Sequence, residues 1–163
     1  MLETEGLLIR EYKTEDIKAL YNILSHSETM IFWPRPFTLE ETTSWINRNM
    51  KSYGENGFGR MGVFLKLSGE LIGDAGIMLT LIDGELKNDI GYIIHSRYQG
   101  QGFGFEASYS ILDHYRNRLD GIYANMPYNH AASIALAEKL GMKKIKEFYN
   151  KKSRDILTFV YSI

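Results

Sequence analysis

Between Asp89 and Ala107 the sequence runs D-I-G-Y-I-I-H-S-R-Y-Q-G-Q-G-F-G-F-E-A. It reads as an apolar strand, then a turn with glycines at 100, 102 and 104, then the start of an amphipathic helix. A turn almost bare of side chains at a helix start leaves several backbone N–H groups unpaired at the positive end of the helix dipole. Such a place binds phosphate without any lysine. Two familiar phosphate loops do not fit. Phe105 stands where the third glycine or alanine of G-x-G-x-x-G belongs, and the loop lies two-thirds along the chain rather than opening a βαβ unit. No G-x-x-x-x-G-K-[ST] occurs.

The flanking sequence supplies the other elements. Leu7-Leu8-Ile9-Arg10-Glu11 is a short strand candidate, and Thr14 offers an N-cap with Glu15 and Asp16 in the first turn. Ile17, Leu20, Tyr21 and Leu24 carry a helix to about Ser25. The segment from Met30 to Phe37, with Pro34 and Pro36, excludes regular helix. Thr38-Leu39-Glu40-Glu41 has the form of a capping box, and Leu39, Thr42, Ile46, Met50 and Tyr53 predict the buried face of the next helix, broken from Gly54 to Gly59. Strands follow at Met61–Leu67 and Leu71–Leu79 around Ser68-Gly69, then from about Lys87 to His95 after the Asp83-Gly84 turn.

Beyond the glycine turn, Phe105, Ser108, Ile111, Leu112, Tyr115 and Leu119 form one helical stripe, and Ile122–Met126 is a strand. Strand, helix and strand in that order force a parallel pair with a right-handed crossover. Ile134, Leu136, Ala137 and Leu140 predict a last helix stopped by Gly141, and strands at about Lys144–Tyr149 and Asp155–Tyr161 close the chain.

Gln99-x-x-Gly102-x-Gly104 resembles the Q/R-x-x-G-x-G/A pyrophosphate loop of the GNAT superfamily of acetyl-CoA-dependent N-acetyltransferases. The run Tyr98 to Ala107 is most similar to the RimJ/RimL type (ribosomal-protein-alanine N-acetyltransferases), whose loop commonly ends in Glu-Ala. Leu7-Leu8-Ile9-Arg10 is similar to that family's first strand, and Glu138-Lys139-Leu140-Gly141-Met142 to its E-K-L-G-F signature. The resemblance spans nearly the whole chain. It implies an α+β fold (an α/β sandwich) over one domain, residues 1–163, with a mostly antiparallel mixed sheet of about seven strands, one central parallel pair and about four helices. It also implies acetyl-CoA as co-substrate and a primary amine, a protein N-terminus or a small molecule, as acceptor by direct attack in a ternary complex.

Carried over residue by residue, the resemblance assigns the pyrophosphate to Gln99, Gly100, Gln101, Gly102, Phe103, Gly104 and Phe105. It assigns backbone contacts with the pantetheine arm to Ile93 and Ile94, which point to alternate faces of their strand. Many family members carry a tyrosine acid three residues before the signature leucine, and Ala137 stands there instead. RimJ/RimL-type members have a serine seven residues before it, here Ser133, which the resemblance makes the catalytic hydroxyl that serves the leaving thiolate and which is otherwise a small first-turn residue. Their asparagine three residues before the serine, which contacts the cofactor, corresponds to His130, with Asn129 one position earlier. Either histidine replaces it, or Asn129 reaches the same place, or Asn129 is only the last helix's N-cap. For a general base the candidates are Asp89 and Glu85, each otherwise a solvated hairpin charge. Phe32 and Trp33, between the first two helices, are candidates to wall the acceptor site.

Several classes are disfavoured by composition. A formal net charge of −1 carries no nucleic-acid footprint. No cysteine is present, which removes thiolate catalysis and cysteine–zinc sites, and His95 and His114 lack ligand spacing, so no metal is expected. Without a signal-peptide core or a run approaching the ~20 apolar residues of a membrane span, a cytoplasmic protein, monomeric or homodimeric, is the expectation. A GNAT-fold module that binds CoA as a sensor or partner without catalysis is the alternative reading.

Overall fold

A computed structural model describes residues 1–163. The elements in order are β1 (Leu2–Glu3), β2 (Leu7–Arg10), α1 (Ile17–Leu24), α2 (Leu39–Asn56), β3 (Arg60–Leu65), β4 (Leu71–Ile82), β5 (Glu85–Ile94), α3 (Phe103–Tyr115), β6 (Tyr123–Pro127), α4 (Ala131–Lys139), β7 (Lys143–Asn150) and β8 (Ile156–Ser162). The eight strands form one sheet in the order β1-β2-β3-β4-β5-β6-β8-β7. Every neighbouring pair is antiparallel except β5 and β6. The expected α+β architecture with a central parallel pair is therefore present, with β1 as an additional two-residue strand.

The parallel pair is the feature that positions the site. β4 and β5 pair without interruption from Ile82↔Glu85 to Gly73↔Ile94. β5 and β6 are matched only at Asp89↔Tyr123. Beyond that point β6 diverges, so one edge of β5 from Ile90 to Ile94 has no strand neighbour. Side-chain alternation splits the core across the sheet. Ile90 and Ile94 join Ala107, Ile111, Leu112, Ala137 and Leu140 on the α3–α4 side. Ile93 joins Leu20, Leu24, Trp45 and Ile46 on the α1–α2 side.

Four local expectations change. Thr14 does not cap α1: residues 14–16 form a 3-10 turn, and the Asp16 carboxylate accepts from the Lys13 amide at 2.8 Å and from the Arg10 guanidinium. The Thr38–Glu41 capping box is present, but α2 continues through Gly54 to a left-handed Gly57. Its buried residues are Thr42, Trp45, Ile46 and Asn49, while Leu39 and Met50 are exposed. A buried charge turns the helix this way. Asp74 is fully buried and accepts from Tyr12 Oη (2.5 Å), Trp45 Nε1 (3.0 Å) and Arg60 Nε (2.6 Å), and Asn49 Oδ1 takes the Arg60 amide. Satisfying that carboxylate outweighs burying Leu39 and Met50. Finally, His130 rather than Asn129 caps α4, its ring accepting from the Ser133 amide.

Glu106 has a structural part as well. Its Oε1 accepts from Thr4 Oγ1 at 2.5 Å and from the Gly6 amide at 2.8 Å, tying the β1–β2 turn to α3.

Candidate active site

The glycine turn ends in a bare helix start. Gly102 is the N-cap of α3 at φ 89°, a left-handed conformation costly for any side chain. The first intrahelical bond runs from the Glu106 amide to Gly102 O at 3.0 Å, which leaves the amides of Phe103, Gly104 and Phe105 without helical partners. A Cβ added at Gly100 or Gly102 would meet nothing within 4 Å, so both face an open cradle. Gly104 differs: its Cβ position lies 3.0 Å from the Tyr92 ring, and glycine is what lets α3 settle onto β5. The cradle thus fits a phosphate group. Gln99 and Gln101 brace the turn, Gln99 Nε2 donating to Ile94 O at 2.8 Å and Gln101 Nε2 to Arg97 O at 3.3 Å.

Two cavities meet at the split between β5 and β6. The first, about 320 Å³, runs from Gln99, Gly100, Gly102, Phe103, Gly104 and Phe105 along Ile93 and Ile94. The second, about 420 Å³, reaches through the split to Trp45, Arg60, Met78, Thr80, Asp89 and Asn125 on the α2 side. Phe32, Trp33, Tyr92, His130 and Leu136 line both. Phe32 lies face to face with the His130 ring at 3.6 Å, so the segment between α1 and α2 covers the junction.

Three polar side chains gather there. Ser133 Oγ lies 3.1 Å from His130 Nε2 and 3.3 Å from Tyr92 Oη. His130 Nδ1 accepts the Ser133 amide, so in the neutral ring the proton sits on Nε2 and points at Ser133 Oγ. Burial pushes the His130 pKa down, which keeps that ring neutral. The Ser133 hydroxyl then has its own proton free for Tyr92 or a ligand. Burial also raises the Tyr92 phenol above its ordinary value. Sequence reasoning missed Tyr92, which reaches from β5 into the cavity that Ala137 lines from α4. An aromatic hydroxyl inside the otherwise aliphatic run Ile90–Ile94, beside Gly91, is the available signal.

Asp89 lies on β5 at the last point where the parallel pair is joined. Its Oδ2 accepts from Asn125 Nδ2 at 3.1 Å, while Oδ1 is shielded from solvent with no hydrogen-bond partner. Burial raises this carboxyl to about 7, against the opposing pull of Arg60, Asn125 and Thr80. Glu85 is elsewhere. It opens β5 at the hairpin end, exposed, pairs with Lys87 at 2.6 Å and lines neither cavity; that pairing lowers its pKa. Asn129 is also exposed and lines neither cavity, so the structure brings His130 to the junction instead. No group of three or more metal-ligating side chains comes together.

The whole architecture recurs in solved acetyltransferases, which sets the class of protein. The GNAT-family acetyltransferase of Bacillus anthracis superposes with a TM-score of 0.83 over 99% of this chain and 96% of its own, at 25% identity. RimL, a ribosomal L7/L12 alpha-N-protein acetyltransferase solved in complex with coenzyme A, shares the fold with a TM-score of 0.82 over 98% and 94% of the two chains, at 17% identity. In sequence, the uncharacterized N-acetyltransferase YnaD of Bacillus subtilis (strain 168) is 29% identical over 153 residues, 92% of this chain and 86% of its own. The family described as "Acetyltransferase (GNAT) domain" matches residues 6–143, and the chain belongs to it.

Proposed function

We propose that the protein transfers the acetyl group of acetyl-CoA to a primary amine, both bound at once, with the cofactor in the glycine-turn cavity and the amine in the cavity that holds Asp89. One observation carries the reading: the two cavities meet at Tyr92, His130 and Leu136, next to Ser133, with a titratable carboxyl on the far side. RimL, a neighbour in fold, was solved with coenzyme A, which supports the same ligand here.

Acetyl-CoA, when bound, supplies an acetyl group activated as a thioester. The unpaired amides of Phe103, Gly104 and Phe105 hold its pyrophosphate. The free edge of β5, at the backbone of Tyr92 and the amide of Ile94, holds the extended arm; Ile93 faces Asp74 of β4 and Ile94 O is taken by Gln99. Asp89, with a pKa near 7, accepts the proton an attacking amine must lose. Ser133 and Tyr92 donate hydrogen bonds to the leaving group, and His130 fixes the Ser133 proton in that direction. Ala137, where a tyrosine acid is common, is thereby compensated from β5.

Incubation with acetyl-CoA and a panel of primary amines, followed by mass detection, tests this. A gain of one acetyl group on an amine is expected. Tight CoA binding with no transfer to any amine would assign the chain to a CoA-binding module instead.

A further inference from the structure

The amine cavity has a chemistry of its own. The three shielded side-chain polar atoms of the protein that lack a hydrogen-bond partner are Arg60 Nη2, Asp89 Oδ1 and Ser108 Oγ, and all three residues line this cavity. Arg60 Nη2 lies 2.5 Å from Asp74 Oδ1 but out of line for a hydrogen bond. Orphaned polar atoms confined to one cavity mark a place built to receive a ligand.

Charge then restricts the ligand. Asp89 is the only carboxylate in the lining, and the other charged residues there, Arg60 and Lys152, are both positive. One ammonium finds a partner at Asp89. A second ammonium inside the cavity would find no further carboxylate in the lining, only Lys152 and an Arg60 already paired with Asp74, so polyamines and aminoglycosides are poor occupants.

Aromatic packing restricts it further. Trp33, Phe37 and Trp45 stand edge to face at 5.4–6.0 Å between ring centroids, and the Trp45 indole is fixed by its bond to Asp74. Phe32 and Trp33 nevertheless remain 44% and 37% exposed beside the opening. With Pro34 they give the cavity an apolar side, while Met78, paired with Asp89 across β4 and β5, borders the polar group of Asp89, Thr80 and Asn125. Exposed aromatics at a preformed cavity are what a flat apolar ligand covers.

Resting on the acetyl-transfer reading, we infer that the acceptor is a primary monoamine on a flat apolar body, its ring against Trp33 and Trp45 and its ammonium at Asp89. An arylalkylamine and a peptide whose first residue is aromatic share that chemistry.

Trp33 and Trp45 are the chain's two tryptophans, and both line this cavity, so intrinsic tryptophan emission reports on it without any turnover. The protein, with CoA present, is titrated with phenethylamine, with a Phe-Gly-Gly-Gly peptide and with spermidine. A saturable emission change is expected with phenethylamine, with the peptide or with both, at concentrations at least about 10-fold below any response to spermidine. Which of the two responds identifies the source, a free amine or a peptide N-terminus. Asp89→Asn, its fold checked by its melt, should weaken the response by about 10-fold or more, the scale on which a desolvated charge pair is lost. Equal or tighter binding of spermidine overturns the inference, and so does no response to any of the three. A separate thermal shift with CoA keeps the two readings apart: its absence removes the acetyl-transfer reading whatever the emission shows, and its presence with a spermidine preference removes only the acceptor class.

Discussion

Asp89→Asn should make the protein more stable while disabling it. In the folded state the Asp89 carboxyl is held at about 7, some three units above its ordinary 3.8, because burial disfavours its charge. At about 1.4 kcal/mol per unit, ionised Asp89 costs the folded state at most ~4 kcal/mol relative to the unfolded chain. The cleft admits some water to the carboxylate, which lowers the realised cost to ~1–3 kcal/mol. Asparagine keeps the shape and can accept from Asn125 Nδ2 where Oδ2 does now. For a chain of this size the gain corresponds to a rise in Tm of about 3–10 °C. The effect depends on pH in a definite direction. Below about pH 4 the carboxyl is protonated in both states, and the substitution gains nothing. From pH 4 to 7 the unfolded chain is ionised while the folded one keeps its proton, so wild-type stability falls as pH rises. Above pH 7 the full difference persists. Melts of both proteins at pH 4, 5.5 and 8 measure this, alongside kcat/KM at pH 8, expected to fall by ~10²–10⁴-fold. A lower Tm for Asp89→Asn at pH 8, or a difference independent of pH, would refute the argument that burial of this charge is only partly compensated.

Other outcomes follow from the same geometry. Tyr92→Phe and Ser133→Ala should each lower kcat by up to ~10²-fold with CoA affinity unchanged, and the double substitution should cost no more than the larger single one if the hydroxyls act as one chain; additive losses in kcat would separate them. Gly102→Val should weaken CoA binding by about 10-fold or more in a folded protein, because valine resists φ 89° and would fill the open cradle; calorimetry showing wild-type affinity would make this turn merely structural. Asp74→Ala, leaving the Arg60 guanidinium buried without its partner, should destabilise by ~3–5 kcal/mol in denaturant melts, and a loss under 1 kcal/mol would show that the carboxylate is not what holds α2.

How much of this was legible beforehand depends on whether a local pattern carried it. The glycine turn, the Thr38–Glu41 capping box and the strand–helix–strand unit are each encoded in a local pattern and are present, although α3 ends at Tyr115, short of Leu119 in the expected stripe. The buried face of α2 differs from the expected one because Asp74, on a distant strand, accepts from the Trp45 indole, and Asn49 accepts from the Arg60 amide. Helical periodicity weighs only apolar residues and does not register such a partner. Asp89 was picked out as an acid near the strand start, but its orphaned Oδ1 arises only once β6 diverges after Tyr123. Tyr92 was passed over because its neighbours Ser133 and His130 lie some forty positions later in the chain. The choice between Asn129 and His130 was open in the sequence, since both offer capping groups. The segment between α1 and α2 stacks Phe32 on His130 and leaves Asn129 exposed.

The most direct test of the account asks which nucleotide the folded protein recognises. A site made of unpaired amides at a helix start and the free edge of β5 exists only in the folded chain, so its ligand must raise stability. At ~100 times its dissociation constant, CoA should add ~2.7 kcal/mol, or about 5–10 °C in Tm for a protein of this size. A thermal melt with CoA beside one with NAD at equal concentration makes the comparison. The account predicts a shift with CoA and none with NAD; no shift with millimolar CoA, or a clear shift with NAD in its place, would contradict it.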